Sequence, residues 1–129
     1  MRNSLGESLK TALFCAAAVE AKKANSIVVL DVKQVTLLAD YFVFAGGESK
    51  AQVKAIAESV RETLGKQGEK TKSLEGMSDA RWVLLDFGDV IVHVLQSEER
   101  EFYRLEQFWN HALLVDWEKE CERLDIKVD

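Results

Sequence analysis

Two groups of residues in this chain have types and spacing that could do chemistry. The first lies in Arg81 to Leu95, RWVLLDFGDVIVHVL, which reads as two apolar strands joined at Phe87-Gly88. It carries Trp82, Asp86, Asp89 and His93, groups that a plain hairpin does not need. The second is Gly46-Gly47, placed between a strand and a helix start. Such a junction can cradle phosphate, because free amides and the helix dipole point at the ligand. Two or three carboxylates can also hold Mg²⁺ for nucleotidyl transfer. Asp31, Asp40, Asp86 and Asp89 supply carboxylates, but no D-x-D pair sits on a strand after the glycine turn. The glycines match neither G-x-G-x-x-G nor a Walker sequence, and glycine before a capped helix is most often only a turn. His93 is a lone histidine in an apolar strand. No nucleophile stands at motif spacing from it, and His111 lies in another element. It reads as a hydrogen-bonded core or interface residue, so neither a catalytic set nor a cofactor is expected.

The aromatic residues of the hairpin invite a different reading. Strand residues alternate faces, so Trp82, Leu84 and Asp86 share one side. A two-residue turn at Phe87-Gly88 sets Asp86 against Asp89 and Trp82 against His93, but at the cost of positive φ at Phe87. A three-residue turn with Gly88 in the left-handed position shifts that register, and the sequence does not choose between them. In either case Phe87 is expected at a loop tip, where solvent does not explain a large aromatic. Aromatic anchors ringed by charge are the usual chemistry of protein interfaces. The competing explanation is that Trp82 and Phe87 fold back onto the domain's own core. Glu98, Glu99, Glu101 and Glu106, just beyond the hairpin, read by default as a solvated helix face.

Several elements must position these groups. Leu5, Leu9, Leu13, Ala16 and Ala17 mark one face of a helix from about Ser4 to Lys23, with Ser4 and Glu7 as a capping box. SIVVLD, from Ser26, reads as an interior strand, and DYFVFA, from Asp40, as a second that ends at Gly46-Gly47. Ser49 and Gln52 form another capping box. Val53, Ile56, Ala57, Val60 and Leu64 then recur at helical spacing, which predicts a helix from Lys50 to about Lys66. Ser73 to Glu75 reads as a short edge strand and Gly76 to Asp79 as a turn. After the hairpin, Ser97 can cap a helix from Glu98 to about Leu114, and Asp116 to Asp129 reads as one more short helix with a charged tail. This order predicts an α/β (α+β) single domain over 1–129: a mixed sheet of about five strands with flanking helices.

Bulk composition agrees with a folded domain. Hydrophobic residues make up 47% and charged residues 30%, against the pattern of disorder. The net charge is −5, which argues against nucleic acid as the main ligand and suits a basic protein partner. Cys15 and Cys121 stand far apart with no CxxC, as expected of a reducing, cytoplasmic setting rather than a zinc site. No apolar stretch is long enough for a membrane span.

Several ordered segments carry a resemblance: KKANSIVVLDV, LADYFVFAGGES, the helix AQVKAIAESV, the isolated LEG at Leu74 to Gly76, WVLLDFGDVIVHV and EREFYRLEQFW. In these the chain, from about Leu5 to Trp117, resembles the ribosomal silencing factor (Iojap-related) family. Gly47 and Glu48 stand where that family more often has a threonine after the glycine, and the tail beyond Trp117 falls outside the pattern. The resemblance implies a nucleotidyltransferase-like fold without catalytic residues, and a non-enzymatic repressor of translation, dimeric when free. It implies binding to the large ribosomal subunit through its protein L-fourteen, which blocks subunit joining when nutrients fall. Carried over by position, the contact set is Trp82, Asp86, Phe87 and Asp89, with Tyr41 as a further member. Two alternatives remain: a nucleotidyltransferase-type enzyme with a nucleotide at Gly46-Gly47, and a structural homodimer joined through the hairpin face.

Overall fold

The computed structural model describes residues 5–96 and 111–128. The elements are α1 (Leu5–Ala21), β1 (Asn25–Asp31), β2 (Tyr41–Gly47), α2 (Lys50–Lys66), β3 (Ser73–Glu75), β4 (Trp82–Asp86), β5 (Val90–Gln96), β6 (Leu113–Val115) and α3 (Trp117–Leu124). The strands form one mixed sheet in the order β3-β4-β5-β2-β1-β6. Only the central β2–β5 pair is parallel, and the other ladders are antiparallel.

Helix α2 follows directly from its sequence. Val53, Ile56, Ala57, Val60 and Leu64 are its buried residues, and the Ser49 side chain caps it by accepting from the Gln52 N–H. Together with α1 it covers one face of the sheet. There Val29, Val43, Ala45, Val83, Leu85, Val92 and Val94 join the helices' apolar residues in the main core. The opposite face carries a second cluster, with Leu30, Phe42, Phe44 and Leu95. Alternation along the strands sends neighbouring residues to these two cores. Helix α3 packs on α1 through Cys121 against Leu13, and Ile126, just past its end, joins the same cluster.

The structure corrects several expectations. The sheet has six strands rather than about five. Gly46 and Gly47 do not stop β2. They are its last two residues, paired with Leu95 and Gln96, because the β5 ladder continues beside them. Helix α1 ends at Ala21, and Lys23 takes the left-handed backbone (φ 61) that closes it. The expected helix from Glu98 lies mostly outside the described residues. Its predicted end is replaced by β6, which pairs Leu114 with Leu30 and Leu113 with Asp31. The hairpin takes neither expected turn: Phe87 stands opposite Val90, and Gly88-Asp89 make a two-residue turn with Gly88 at φ +94. In its register Leu84 faces His93 and Trp82 faces Leu95, so Trp82 is not directly opposite His93.

Candidate interaction surface

Trp82 opens β4 and keeps 41% of its surface exposed, the only large aromatic to do so among the described residues. It shares a sheet face with His93, one ladder step away along β5. The indole turns toward that histidine, and its Nε1–H donates to His93 Nδ1 at 3.2 Å. His93 is buried at 7% exposure. Its ring stacks on Phe44 (centroids 4.8 Å, planes 15° apart) and meets the edge of Phe42 at 5.3 Å. Since Nδ1 accepts, the proton of the neutral ring sits on Nε2, a buried atom with no hydrogen-bond partner among the described residues. Burial pushes the imidazole pKa down to about 4, so the ring is neutral near pH 7.

The acidic group lies at the other end of the hairpin. Asp86 is the last residue of β4, and its Oδ1 accepts the Gly88 N–H at 2.7 Å, which shapes the turn. A side chain at Gly88 would strike the Lys72 Nζ as well as requiring positive φ. The Asp89 carbonyl accepts from the Asp40 and Tyr41 amides at 2.7 and 3.1 Å, tying the turn to the start of β2. Trp82 and Asp86 lie four residues apart on one strand, about 13 Å at 3.3 Å per residue. The structure therefore separates the aromatic from the carboxylates that were expected to ring it.

Two expected contact residues turn inward. Phe87 is only 5% exposed and belongs to the main core, not to a loop tip in solvent. Its N–H still pairs with the Val90 carbonyl, so the chain enters the turn while the ring stays on the helix-covered face. Tyr41 is also 5% exposed. Its hydroxyl accepts from Lys33 Nζ at 3.0 Å, and the same ammonium pairs with Asp31 at 3.0 Å.

Sequence reasoning missed four exposed leucines. Leu37 and Leu38 lie on the β1–β2 connection at 92% and 71% exposure, and Leu113 and Leu114 on β6 at 63% and 74%. Two leucines inside a polar connector, VTLLAD, were the available signal. Leu113 pairs with Asp31, and the Leu37–Leu38 connection returns at Asp40 beside the Asp89 turn. Apolar and acidic groups thus share that end of the sheet.

The glycine junction is filled by the protein itself. The Asn25 side chain occupies the place a Cβ on Gly46 would take, and Val53 crowds the same place on Gly47. Gln52 Oε1 accepts the Glu48 N–H at 2.6 Å, while its Nε2 reaches the Lys22 and Lys23 carbonyls at the end of α1. The Glu48 carboxylate accepts from Asn25 Nδ2 at 2.8 Å. The glycines therefore serve close strand–helix packing, and a negative charge stands where phosphate would enter. No cluster of three or more His, Cys, Asp or Glu able to hold a metal ion occurs among the described residues. No helix among them is long and apolar enough to cross a membrane.

A six-stranded mixed sheet with helices on one face, an exposed tryptophan at one end and an acidic, leucine-bearing rim at the other defines an α+β domain. The sequence model of the family described as "Ribosomal silencing factor during starvation" matches residues 6–128, and the chain belongs to that family. The match continues past Trp117 through α3. The ribosomal silencing factor RsfS of Bacillus subtilis is 45% identical over 101 residues, which is 78% of this chain and 86% of that protein. A crystal structure from Bacillus halodurans superposes with a TM-score of 0.72 at 42% identity, covering 80% of this chain and 93% of that one. More distantly, a mouse protein named for mitochondrial assembly of the ribosomal large subunit is 29% identical over 91 residues, 68% of this chain and 40% of that protein.

Proposed function

We propose that this protein lowers translation by binding the large ribosomal subunit through its protein L-fourteen and blocking the small subunit from joining when nutrients are limiting. The observation that carries this reading is the silencing-factor family match across residues 6–128. The name of the mouse relative supports the large subunit as the target.

Chemistry on the surface supports a protein partner. Trp82 supplies exposed apolar area of the kind that anchors interfaces, and Asp86 and Asp89 offer carboxylates to a basic ribosomal protein. The net charge of −5 likewise favours a positively charged partner. Trp82, Asp86 and Asp89 make the direct contacts in this reading. Phe87 and Tyr41 hold the turn and the start of β2 from beneath. The action is steric, so it needs no cofactor and no catalysis, and the cytoplasm is where it takes place. The free protein is a homodimer in this reading, and dimer and ribosome contacts compete for one surface. The nucleotidyltransferase alternative is disfavoured by Glu48 and Gln52, which occupy the junction it would use.

The test is sedimentation with separated ribosomal subunits. The protein is expected to pellet with the large subunit and, added before mixing, to reduce the yield of joined ribosomes. Pelleting with the small subunit alone would overturn the reading.

A further inference from the structure

Trp82 presents an exposed ring whose one polar atom already has a partner inside the protein. Its Nε1–H is held by His93 Nδ1 at 3.2 Å. His93 cannot swing freely, because its ring is stacked on Phe44 and edged by Phe42. The hydrogen bond and the two aromatic contacts fix one tautomer and one ring orientation. A tryptophan covered by a partner normally needs an acceptor for its N–H, or the burial is costly. Here the acceptor is built in, on the neighbouring strand.

We propose that His93 is a positioning residue for the docking surface: it holds the Trp82 indole and satisfies its N–H, so that the partner's recess over this ring is apolar and offers no hydrogen-bond acceptor to Nε1. The inference rests on the reading of Trp82 as a ribosome contact. It makes His93 a contributor to binding although only 7% of its surface is exposed. The buried Nε2, without a partner among the described residues, has a different consequence. The ring can tolerate removal of that N–H, but not loss of the acceptor at the δ position.

Three variants separate the possibilities, assayed on the full chain with purified large subunits. His93→Phe keeps an aromatic ring for the Phe44 stack but removes the acceptor. Its affinity is expected to fall at least about fivefold, chiefly through faster dissociation, since covering the indole then leaves an orphan donor. His93→Asn returns an acceptor at the δ position and is expected to bind more tightly than His93→Phe. Trp82→Phe removes the donor, so adding His93→Phe to it is expected to cost nothing more, the signature of a coupled pair. The indole N–H resonance of Trp82 provides a readout free of the ribosome. Its exchange with solvent is expected to quicken in His93→Phe at unchanged far-UV circular dichroism. If His93→Phe binds like the parent while Trp82→Ala binds weakly, the positioning role is wrong and the contact reading stands. If Trp82→Ala also binds like the parent, both fall. If His93→Phe weakens binding equally in the parent and in Trp82→Phe, His93 acts on the fold alone and the proposal is overturned.

Discussion

Asn25 and Glu48 meet across the mouth of the glycine junction, the amide nitrogen donating to the carboxylate at 2.8 Å over a separation of 23 residues. This contact joins the start of β1 to the segment between β2 and α2. It also determines what the junction can hold. A phosphate approaching the α2 N-terminus would meet the Glu48 carboxylate, and the Gln52 side chain already takes the Glu48 amide. Mg²⁺-ATP is therefore expected to give no saturable heat in calorimetry and no nucleotidyl transfer. Turnover that saturates with nucleotide and disappears in Asp40→Ala would contradict this.

Phe87→Ala is expected to destabilise the fold rather than to trim a surface. Large-to-small substitution of a buried phenylalanine costs about 3 kcal/mol or more through lost transfer energy and the cavity left behind. Urea titration followed by circular dichroism measures it. A loss below about 0.5 kcal/mol, in the range of ordinary surface changes, would mean the ring is not part of the core.

Asp86→Asn and Asp89→Asn together are expected to slow association with the large subunit at low salt and to flatten its salt dependence. Rim charges act mainly on the encounter rate. The asparagine at position 86 keeps an oxygen for the Gly88 N–H, so the turn survives. Asp86→Ala removes that acceptor and is expected to cost about 1–2 kcal/mol of stability as well. Stopped-flow association and urea melts on the same three proteins distinguish charge from turn geometry. An association rate indifferent to both aspartates would leave them as turn formers only.

His93 also sets a pH dependence of stability. Its folded pKa is depressed to about 4 from an ordinary value of 6.5, because burial disfavours the charged ring. The unfolded chain therefore takes up the proton first as pH falls. Stability is full above about 6.5, declines from there toward 4, and levels off below. The total contribution is at most about 3 kcal/mol, at 1.36 kcal/mol per pKa unit. His93→Phe is expected to lack this decline between pH 6.5 and 4, measured as the difference between the two proteins' urea midpoints. Parallel curves would mean the imidazole titrates alike in both states.

What could be read from the sequence depended on whether the deciding forces were local. Helix α2 was legible to its end residues, because its apolar spacing and the Ser49 cap lie within the element itself. The β-branched strands and the edge position of β3 were legible for the same reason. The exposure of Trp82 was not legible, since the sequence left it open between the surface and the core. The fate of Phe87 was not legible, since its burial depends on which side of the sheet α1 and α2 cover. Leu113 and Leu114 continue an apolar helical pattern, and only pairing with β1, far away in sequence, makes them a strand. The hairpin register was open until Gly88 took positive φ and Asp86 accepted its amide. Gly46 and Gly47 read as a stop signal, yet the parallel ladder with β5 carries β2 through them.

That parallel ladder constrains how the chain assembles in time. Every partner across it, from Tyr41 with Val90 to Gly47 with Gln96, is about fifty positions away in sequence. By contrast, β1 with β2 and β4 with β5 are neighbours along the chain and pair antiparallel. Closing a segment of that length costs roughly 3.4 kcal/mol in chain entropy beyond a constant term, before any central contact forms. The two local hairpins are therefore expected to form before the middle of the sheet, the seam where they meet. A newly made chain reaches β5 only after β2 and α2 have emerged. Until then the β2 edge that later binds β5 stands open, and in that interval the silencer itself is most exposed to mispairing.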